Sequence, residues 1–211
     1  MLKIDKVNPP HFFEDCISKE KPQNWEQFTE IVDRNGIKIN RRLRKYILNR
    51  EQQLFHKKYF CSYCEREIIL NNSHIDHIKP KGRPEYKSFE FDYDNFTASC
   101  SDNYTCGMFK QSKYASNAIH PVEDNPDNFI GYSADGKIEA KKESTRVVAT
   151  INLYNLENSI LVEARKNVIL NLNNYGEQLQ DFIDEIQKEF QFPSLVKWFK
   201  EVHMASKKIT P

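Results

Sequence analysis

The 211-residue sequence has no long hydrophobic run, few cysteines and almost no net charge. No stretch approaches the roughly 18 consecutive apolar residues that a membrane span needs. Charged residues stand in the first segment where a signal peptide would be apolar, so we expect a cytoplasmic protein with no membrane contact. The five cysteines are an odd number and too few for a disulfide scaffold in a chain of this size. Metal binding is their favoured use.

The net charge of +1 would argue against a nucleic-acid partner, because such proteins usually carry an excess of basic residues. However, this value is a cancellation between the two ends of the chain. Residues 1–60 carry +5, residues 61–115 carry −1 and residues 116–211 carry −3. The charge pattern therefore allows the interpretation that the N-terminal segment presents a basic surface to phosphates.

The region 38–58 contains eight Lys or Arg residues and one acidic residue, Glu51. Its apolar residues recur at helical spacing, which predicts an amphipathic helix; they are Leu43, Ile47, Leu48, Leu54 and Phe55. Near the start of this helix lie the basic residues Arg41, Arg42, Arg44 and Lys45. This cluster is either a solvated helix face or a surface that binds nucleic acid.

Three segments follow from these patterns: 1–58 with the basic helix, a compact segment 59–115, and 116–211 with a hairpin and helices. Asp135-Gly136 indicates the hairpin turn. An apolar stripe from Val147 to about Phe190 predicts a long helix that Gly176 could interrupt, packed on the core or docked on a partner. Ser194 is expected to cap the last helix. We therefore predict an α+β fold, with a small core between N- and C-terminal helical segments.

Two cysteine pairs bracket the middle segment: Cys61-x2-Cys64 and Cys100-x5-Cys106. Four thiolates from two loops match a tetrahedral structural Zn2+ site, which would stabilise a segment too small to fold by apolar burial alone. Buried or redox-active thiols are the alternative. Cys16 lies far away in sequence and is expected to be an ordinary, partly buried thiol.

Between the pairs lies the run His74-Ile-Asp76-His77. Hydrolysis of a phosphodiester needs a hard oxygen ligand for a divalent cation and a neutral imidazole that accepts a proton from water. Asp76 can supply the first and His77 the second. Asn95 can clamp the intervening loop through its amide. Three basic residues follow directly and could bind flanking phosphates: Lys79, Lys81 and Arg83.

The ordered set Cys61-x2-Cys64, Asp76-His77-Ile78-x-Pro80, Asn95-x4-Cys100 and Cys106-x3-Lys110 resembles the zinc-containing branch of the HNH (His-Me finger) endonucleases. Together with Glu51-Gln52, DYDNF and TINLYNL, it is most similar to the PtuB family of Septu and retron anti-phage systems. The resemblance covers roughly residues 40–165.

The resemblance implies a ββα-metal nuclease core held together by zinc. His77 would be the general base, Asp76 a ligand of catalytic Mg2+ or Mn2+, and Asn95 the residue that orders the loop. Lys110 would join the nucleic-acid-binding residues. Members of the family work beside an ABC-type ATPase, PtuA. DNA is the favoured substrate, and an RNA such as a tRNA stays open.

The sequence departs from this family at one position. A His or Asn ligand commonly follows the last zinc cysteine, whereas this chain has Gly107 and Met108, whose side chains cannot bind a hard cation. His74 is the first candidate for the missing ligand because it shares a strand face with Asp76. The further candidates are Asn103, Asp102 and His120. Two other functions therefore stay open: a degenerate HNH module that binds without cutting, and a plain zinc-ribbon adaptor.

Overall fold

The computed structural model describes residues 1–55, 58–175 and 188–207, the last five of these by backbone alone. It has mixed helical and sheet structure, as expected. The helices are α1 (His11–Glu20), α2 (Trp25–Glu30), α3 (Ile39–Glu51), α4 (Cys106–Lys110), α5 (Ser144–Tyr154), α6 (Ser159–Asn174) and α7 (Pro193–Lys207). The strands are β1 (Gln53–Leu54), β2 (Lys58–Phe60), β3 (Glu67–Ile68), β4 (Ser73–His77), β5 (Phe96–Cys100), β6 (Ile130–Tyr132) and β7 (Ile138–Ala140).

The centre of the molecule is the antiparallel pair β4 and β5, followed by the short helix α4. Ser73 pairs with Cys100 at one end and His77 with Phe96 at the other. All five residues of β5 are buried. Because side chains alternate along a strand, His74 and Asp76 point to the same side of β4.

A second sheet, β1-β2-β3, is joined to this pair by the fully buried side chain of Gln52. Its amide nitrogen donates to the carbonyl oxygens of Phe60 in β2 (2.7 Å) and Ala98 in β5 (2.8 Å). Its amide oxygen accepts from the Ala98 nitrogen (2.6 Å). This amide therefore satisfies backbone groups of both sheets, as a paired strand would.

Helix α3 agrees with the basic amphipathic helix in its first part only. Leu43, Ile47 and Leu48 are buried against the core, as the spacing predicted. The helix ends at Glu51, so the expectation that it continues through Leu54 and Phe55 was wrong. The chain turns there because Gln52 pairs with the sheets, and Leu54 enters β1.

Within residues 144–175, the described part of the apolar stripe forms two helices and not one. Asn155 ends α5 in the left-handed conformation, at φ 51°. Asn158 then starts α6, with its side chain accepting from the Ile160 nitrogen. An Asn-rich turn thus interrupts the predicted helix, since asparagine tolerates the left-handed conformation and caps helices well. Gly176, Leu179, Phe182, Ile183 and Ile186 lie outside the described residues.

The predicted hairpin is present as β6 and β7, with Gly136 at φ 84° in its turn. A Cβ atom on Gly136 would lie 2.4 Å from the Val162 carbonyl oxygen of α6, so the turn packs directly on that helix. Ser194 is not the cap of the last helix, because it lies inside the first turn. Its nitrogen donates to the carboxylate of Glu65 at 2.7 Å, so Glu65 binds this helix end.

Aromatic side chains of the N-terminal helices pack on β5. The ring of Phe96 lies 5.8 Å from Phe13 of α1 and 5.1 Å from Trp25 of α2, measured between centroids. These contacts bring α2 over the end of β4. Across the described ranges, no helix has both the length and the apolar character of a membrane span.

Candidate metal centres and active site

Four cysteines meet at one point of the fold. Cys61 and Cys64 lie in the turn after β2, Cys100 ends β5, and Cys106 begins α4. All four sulfur atoms are buried and lie within 4.8 Å of one another. A zinc ion with Zn–S bonds of about 2.3 Å would separate its four sulfurs by about 3.8 Å. The cluster therefore fits a tetrahedral metal ion after a small contraction.

The chemistry of this cluster also fits a metal. Burial raises the pKa of the Cys64 and Cys106 thiols well above the usual value. Thiolates in such a site need a compensating cation. Arg66 lies beside the cluster, with its Nη2 3.8 Å from the Cys100 sulfur and 2.7 Å from Asp102, but one guanidinium cannot balance four thiolates. A divalent cation bound directly by the four sulfurs compensates far more of this charge.

A second feature lies beside this cluster, a cavity of about 320 Å³ between the end of β4, the loop 80–82 and α4. Its walls include the three residues of the candidate active site. They are His74, Asp76 and His77. The remaining lining residues are Ile75, Pro80, Lys81, Gly82, Gly107, Met108, Gln111 and Ser112. The cavity thus brings Asp76 and His77, the pair in the HNH-like motif, together with His74, the first candidate for the missing ligand.

His77 is held in one orientation. Its Nε2 lies 2.9 Å from the backbone oxygen of Glu90, and because a carbonyl oxygen only accepts, Nε2 carries the proton. The Nδ1 lone pair is then free to accept a proton. Trp25 and Phe96 contact the ring edge-on, at centroid distances of 4.4 and 5.0 Å. Burial lowers the pKa of His77 to about 4, which keeps the imidazole neutral.

The side chain of Glu90 fixes the position of Trp25, whose ring covers His77. Its Oε1 accepts from the Trp25 backbone nitrogen at 2.9 Å, and its Oε2 pairs with Lys87. The first turn of α2 is thereby anchored to the same residue whose backbone orients the imidazole. This arrangement holds the indole ring against His77.

Asp76 is buried and is bound through one of its two oxygens. The Tyr63 hydroxyl donates to Oδ2 at 2.6 Å, and the Lys110 ammonium lies 3.3 Å from the same oxygen. Lys110 also donates to the His77 backbone oxygen at 2.7 Å. Lys110 is completely buried, so the expectation that it contacts nucleic acid was wrong: it lies on the inner side of the site.

Gly107 lies directly against His74 and Asp76. A Cβ atom at this position would be 2.7 Å from His74 Nε2 and 2.9 Å from Asp76 Cγ. The imidazole therefore occupies the space that a side chain at position 107 would need. His74 Nδ1 is buried and has no hydrogen-bond partner among the described residues, and burial lowers the pKa of the ring. A neutral imidazole and a carboxylate on one cavity wall fit a divalent cation.

The other candidate ligands are separated from this cavity. Asp102 pairs with Arg66 and accepts from the Tyr104 nitrogen at 2.8 Å. His120 Nδ1 accepts from the backbone nitrogens of Val122 and Glu123 within its own turn. Asn103 is exposed and is not a lining residue of the cavity. Among the candidates considered, His74 is the one next to Asp76.

Asn95 closes the loop between β4 and β5. Its amide oxygen accepts from the Lys79 nitrogen at 2.7 Å. Its amide nitrogen donates to the carbonyl oxygens of Lys79 and Phe89, both at 3.0 Å. The side chain thus fixes the backbone directly after His77, on which the position of the imidazole depends.

The basic residues of the same loop lie at the cavity or near it. Lys81 is a lining residue and pairs with Glu26 of α2 at 2.7 Å. Lys79 lies 4.0 Å above the Phe89 ring. Arg83 donates to the Ser112 carbonyl oxygen at 2.7 Å.

The basic cluster of α3 has a mixed environment. Arg41 and Lys45 are exposed and line a separate groove of about 1060 Å³ between α1, α3 and the segment 31–37. Arg42 lines the same groove but pairs with Asp33 at 2.9 Å. Arg44 donates to the backbone oxygen of Ser73, directly before His74. The cluster therefore spans the distance from a surface groove to β4.

Sequence reasoning missed two connecting residues. One links the cysteine cluster to Asp76, and the other links the two sheets. Tyr63 lies inside the Cys61-x2-Cys64 turn, yet its hydroxyl reaches Asp76. Gln52 lies beside Glu51 in the quoted motif, yet its role between the sheets depends on long-range contacts. The sequence marked these two residues only by their place in the motifs Cys61-x2-Cys64 and Glu51-Gln52.

No protein-family model matches the chain. Curated relatives are nevertheless found. A protein of retron Vc95 from Vibrio cholerae, whose assigned role is that of an HNH endonuclease, is 26% identical over 179 residues, covering 80% of this chain and 82% of that protein. A counterpart from retron Ec83 of Escherichia coli is 24% identical over 219 residues, covering 82% and 81%.

A third relative is the Septu protein PtuA of Bacillus mycoides, 26% identical over 189 residues. The match covers 72% of this chain but 26% of PtuA. Together these similarities confirm the resemblance to HNH endonucleases linked to anti-phage defence. They do not single out the PtuB family.

Proposed function

We propose that this protein is a metal-dependent HNH endonuclease that hydrolyses phosphodiester bonds of nucleic acid, with DNA as the first candidate. The observation that carries the proposal is the meeting of His74, Asp76 and His77 in one cavity, with His77 bound at Nε2 and free at Nδ1. The strands β4 and β5 followed by α4 have the order of a ββα-metal core. The cysteine cluster would hold Zn2+ and support this core.

In the proposed mechanism, His77 Nδ1 accepts a proton from the attacking water. Asp76 and His74 would hold Mg2+ or Mn2+, which would supply positive charge where negative charge develops on the phosphate. Asn95 keeps the backbone after His77 in place. Lys81, at the cavity wall, contacts a phosphate oxygen of the substrate. For this contact Lys81 exchanges its exposed partner Glu26 for a phosphate.

The position of Gly107 explains how a cation could be held without the usual ligand. Because Gly107 has no Cβ atom, there is room for the imidazole of His74, which comes from β4 instead of α4. The ligand would thus be supplied from a different element at nearly the same place.

The proposed context is an anti-phage defence system with an ABC-type ATPase of the PtuA kind as partner. The retron relatives support the defence context. The similarity to part of PtuA concerns this chain itself, so it supports a link to that system more directly than it supports a separate partner. The role of the ATPase as partner is therefore tested by comparing cleavage with and without it.

Purified wild-type protein, alone and with the ATPase, is expected to cut DNA or tRNA in the presence of Mg2+ or Mn2+. His77→Ala should reduce cleavage at least 100-fold, because the proton acceptor is removed. Gel assays of nicking and cutting measure this result. His11→Ala is a matched control, since His11 is on the exposed side of α1 and contacts Glu14.

The circular-dichroism spectrum and zinc content of His77→Ala must equal those of the wild type. Cleavage by this variant at the wild-type rate would contradict the assignment of His77 as general base.

A degenerate module that binds nucleic acid or the ATPase without cutting is the second candidate, and Gly107 and Met108 favour it. Metal titration separates the two functions. A zinc-loaded protein that binds no further divalent ion and cuts no substrate would be such a module.

A further inference from the structure

We propose that Tyr63 and Lys110 are positioning residues that occupy one oxygen of Asp76 and leave the other as the single coordinating oxygen. This inference rests on the proposed function, because it concerns the same cation site. It adds that the cysteine cluster and the cation site are directly connected, since Tyr63 belongs to the Cys61–Cys64 turn.

The first argument is the direction of the contacts. The hydroxyl of Tyr63 and the ammonium of Lys110 both approach Oδ2 of Asp76, at 2.6 and 3.3 Å. Two donors on one oxygen leave Oδ1 as the atom available to a cation. Donors around a ligating carboxylate fix its rotation and tune its affinity for the ion.

The second argument is rigidity. Tyr63 is fully buried, and its ring stacks on Tyr154 of α5 with a centroid distance of 3.9 Å and an interplanar angle of 19°. It lies in the short turn between Cys61 and Cys64, so cluster residues restrain the backbone on both sides of it. The hydroxyl therefore has little freedom to follow Asp76 if the carboxylate rotates.

The third argument concerns the buried charge of Lys110. An ammonium group away from water is costly unless it is paired and hydrogen-bonded. Here it binds the His77 backbone oxygen and the Asp76 carboxylate, which belong to consecutive residues. One side chain of α4 thus fixes the base and the cation ligand relative to each other.

A single coordinating oxygen has a consequence for the choice of ion. Ca2+ takes six to eight oxygen ligands and often binds carboxylates through both oxygens. Mg2+ and Mn2+ accept one oxygen from each carboxylate and retain waters. We expect the wild-type site to prefer Mn2+ over Ca2+ for this reason.

The test compares Tyr63→Phe with Tyr132→Phe in zinc-loaded full-length protein. Both changes remove one buried tyrosine hydroxyl that has a hydrogen bond; that of Tyr132 contacts Ser194, away from the cavity. Binding of Mn2+, without substrate, is measured by electron paramagnetic resonance, and Ca2+ is measured by competition. Zinc content and thermal unfolding are followed in parallel.

Tyr63→Phe is expected to raise the Mn2+ dissociation constant about 10-fold or more. It should also lower the ratio of the Ca2+ dissociation constant to the Mn2+ dissociation constant, because Oδ2 of Asp76 becomes available as a second oxygen for Ca2+. Tyr132→Phe should leave both quantities within twofold of the wild type. All three proteins should retain zinc.

Three results would overturn the inference: Mn2+ affinity of Tyr63→Phe within twofold of the wild type, an equal loss in Tyr132→Phe, or an equal loss for Mn2+ and Ca2+. The last result would mean a general disturbance of the site. Absence of Mn2+ binding by the wild type would instead overturn the proposed function, and the inference with it.

Discussion

At the scale of single residues, the candidate cation site depends on the absence of a side chain at position 107. Gly107 lets α4 approach β4 so closely that His74 and Asp76 fill the available space. Gly82 lines the same cavity, but its surroundings are open, since the nearest atom to a Cβ there would be Ser112 Cβ at 3.8 Å. These two glycines allow a direct comparison.

Gly107→Ala is expected to reduce cleavage about 10-fold or more, because its Cβ would displace His74 and Asp76 and small misplacements of catalytic groups are costly. Gly82→Ala should retain cleavage within about twofold. Initial rates at saturating Mn2+ measure both effects. Equal rates for the two variants would show that the approach of α4 to β4 does not matter for the reaction.

Residue spacing predicted part of this site. The alternation of a strand predicts that His74 and Asp76 share a face, and they line one cavity. Their catalytic roles, and those of His77 and Asn95, stay predictions. The inward direction of Lys110 could not be predicted, because a lysine at the end of a short helix is usually solvated and only the tertiary packing buries it.

At the scale of elements, the side chain of Gln52 links a helix end to two sheets. It ends α3 and binds backbone atoms of β2 and β5. Local patterns predicted the start of α3 and the β6–β7 hairpin, since both depend on spacing and turn residues. They failed at the end of α3 and at Asn155, where long-range contacts and a left-handed turn end the helices.

Gln52→Leu is expected to lower the free energy of unfolding by about 3 kcal/mol or more, because the buried Phe60 oxygen and Ala98 nitrogen lose the hydrogen bonds that they make with Gln52. Chemical denaturation of the zinc-loaded protein measures this change. Gln53→Leu, at the neighbouring exposed position, should change the value by no more than about 0.5 kcal/mol. A similar effect of both substitutions would refute the role of Gln52 as a link between sheets.

At the scale of the whole molecule, the cysteine cluster joins three parts of the chain that are separated in sequence. It connects the turn after β2, the end of β5 and the start of α4, which also form the walls around Asp76. The spacing of the cysteines predicted this meeting correctly, because few other arrangements use two such pairs. The metal itself stays a prediction.

Cys100→Ser is expected to lose most of the bound zinc and to lower the unfolding temperature by 10 °C or more, since metal binding contributes directly to folding. Elemental analysis and calorimetry measure the two quantities. Cys16→Ser, a buried cysteine outside the cluster, should retain one zinc per chain. Full zinc content in Cys100→Ser would mean that this residue is not a ligand.

The edge-on contact between Trp25 and His77 places an intrinsic fluorophore in the candidate active site. The chain has two tryptophans, and the other, Trp198, packs against Tyr132 in the C-terminal part. In a Trp198→Phe background, the tryptophan fluorescence, excited selectively over that of the tyrosines, therefore originates beside the imidazole. Any event that moves α2 or changes the surroundings of His77, including arrival of a substrate, would alter this emission and could be followed in real time without a label.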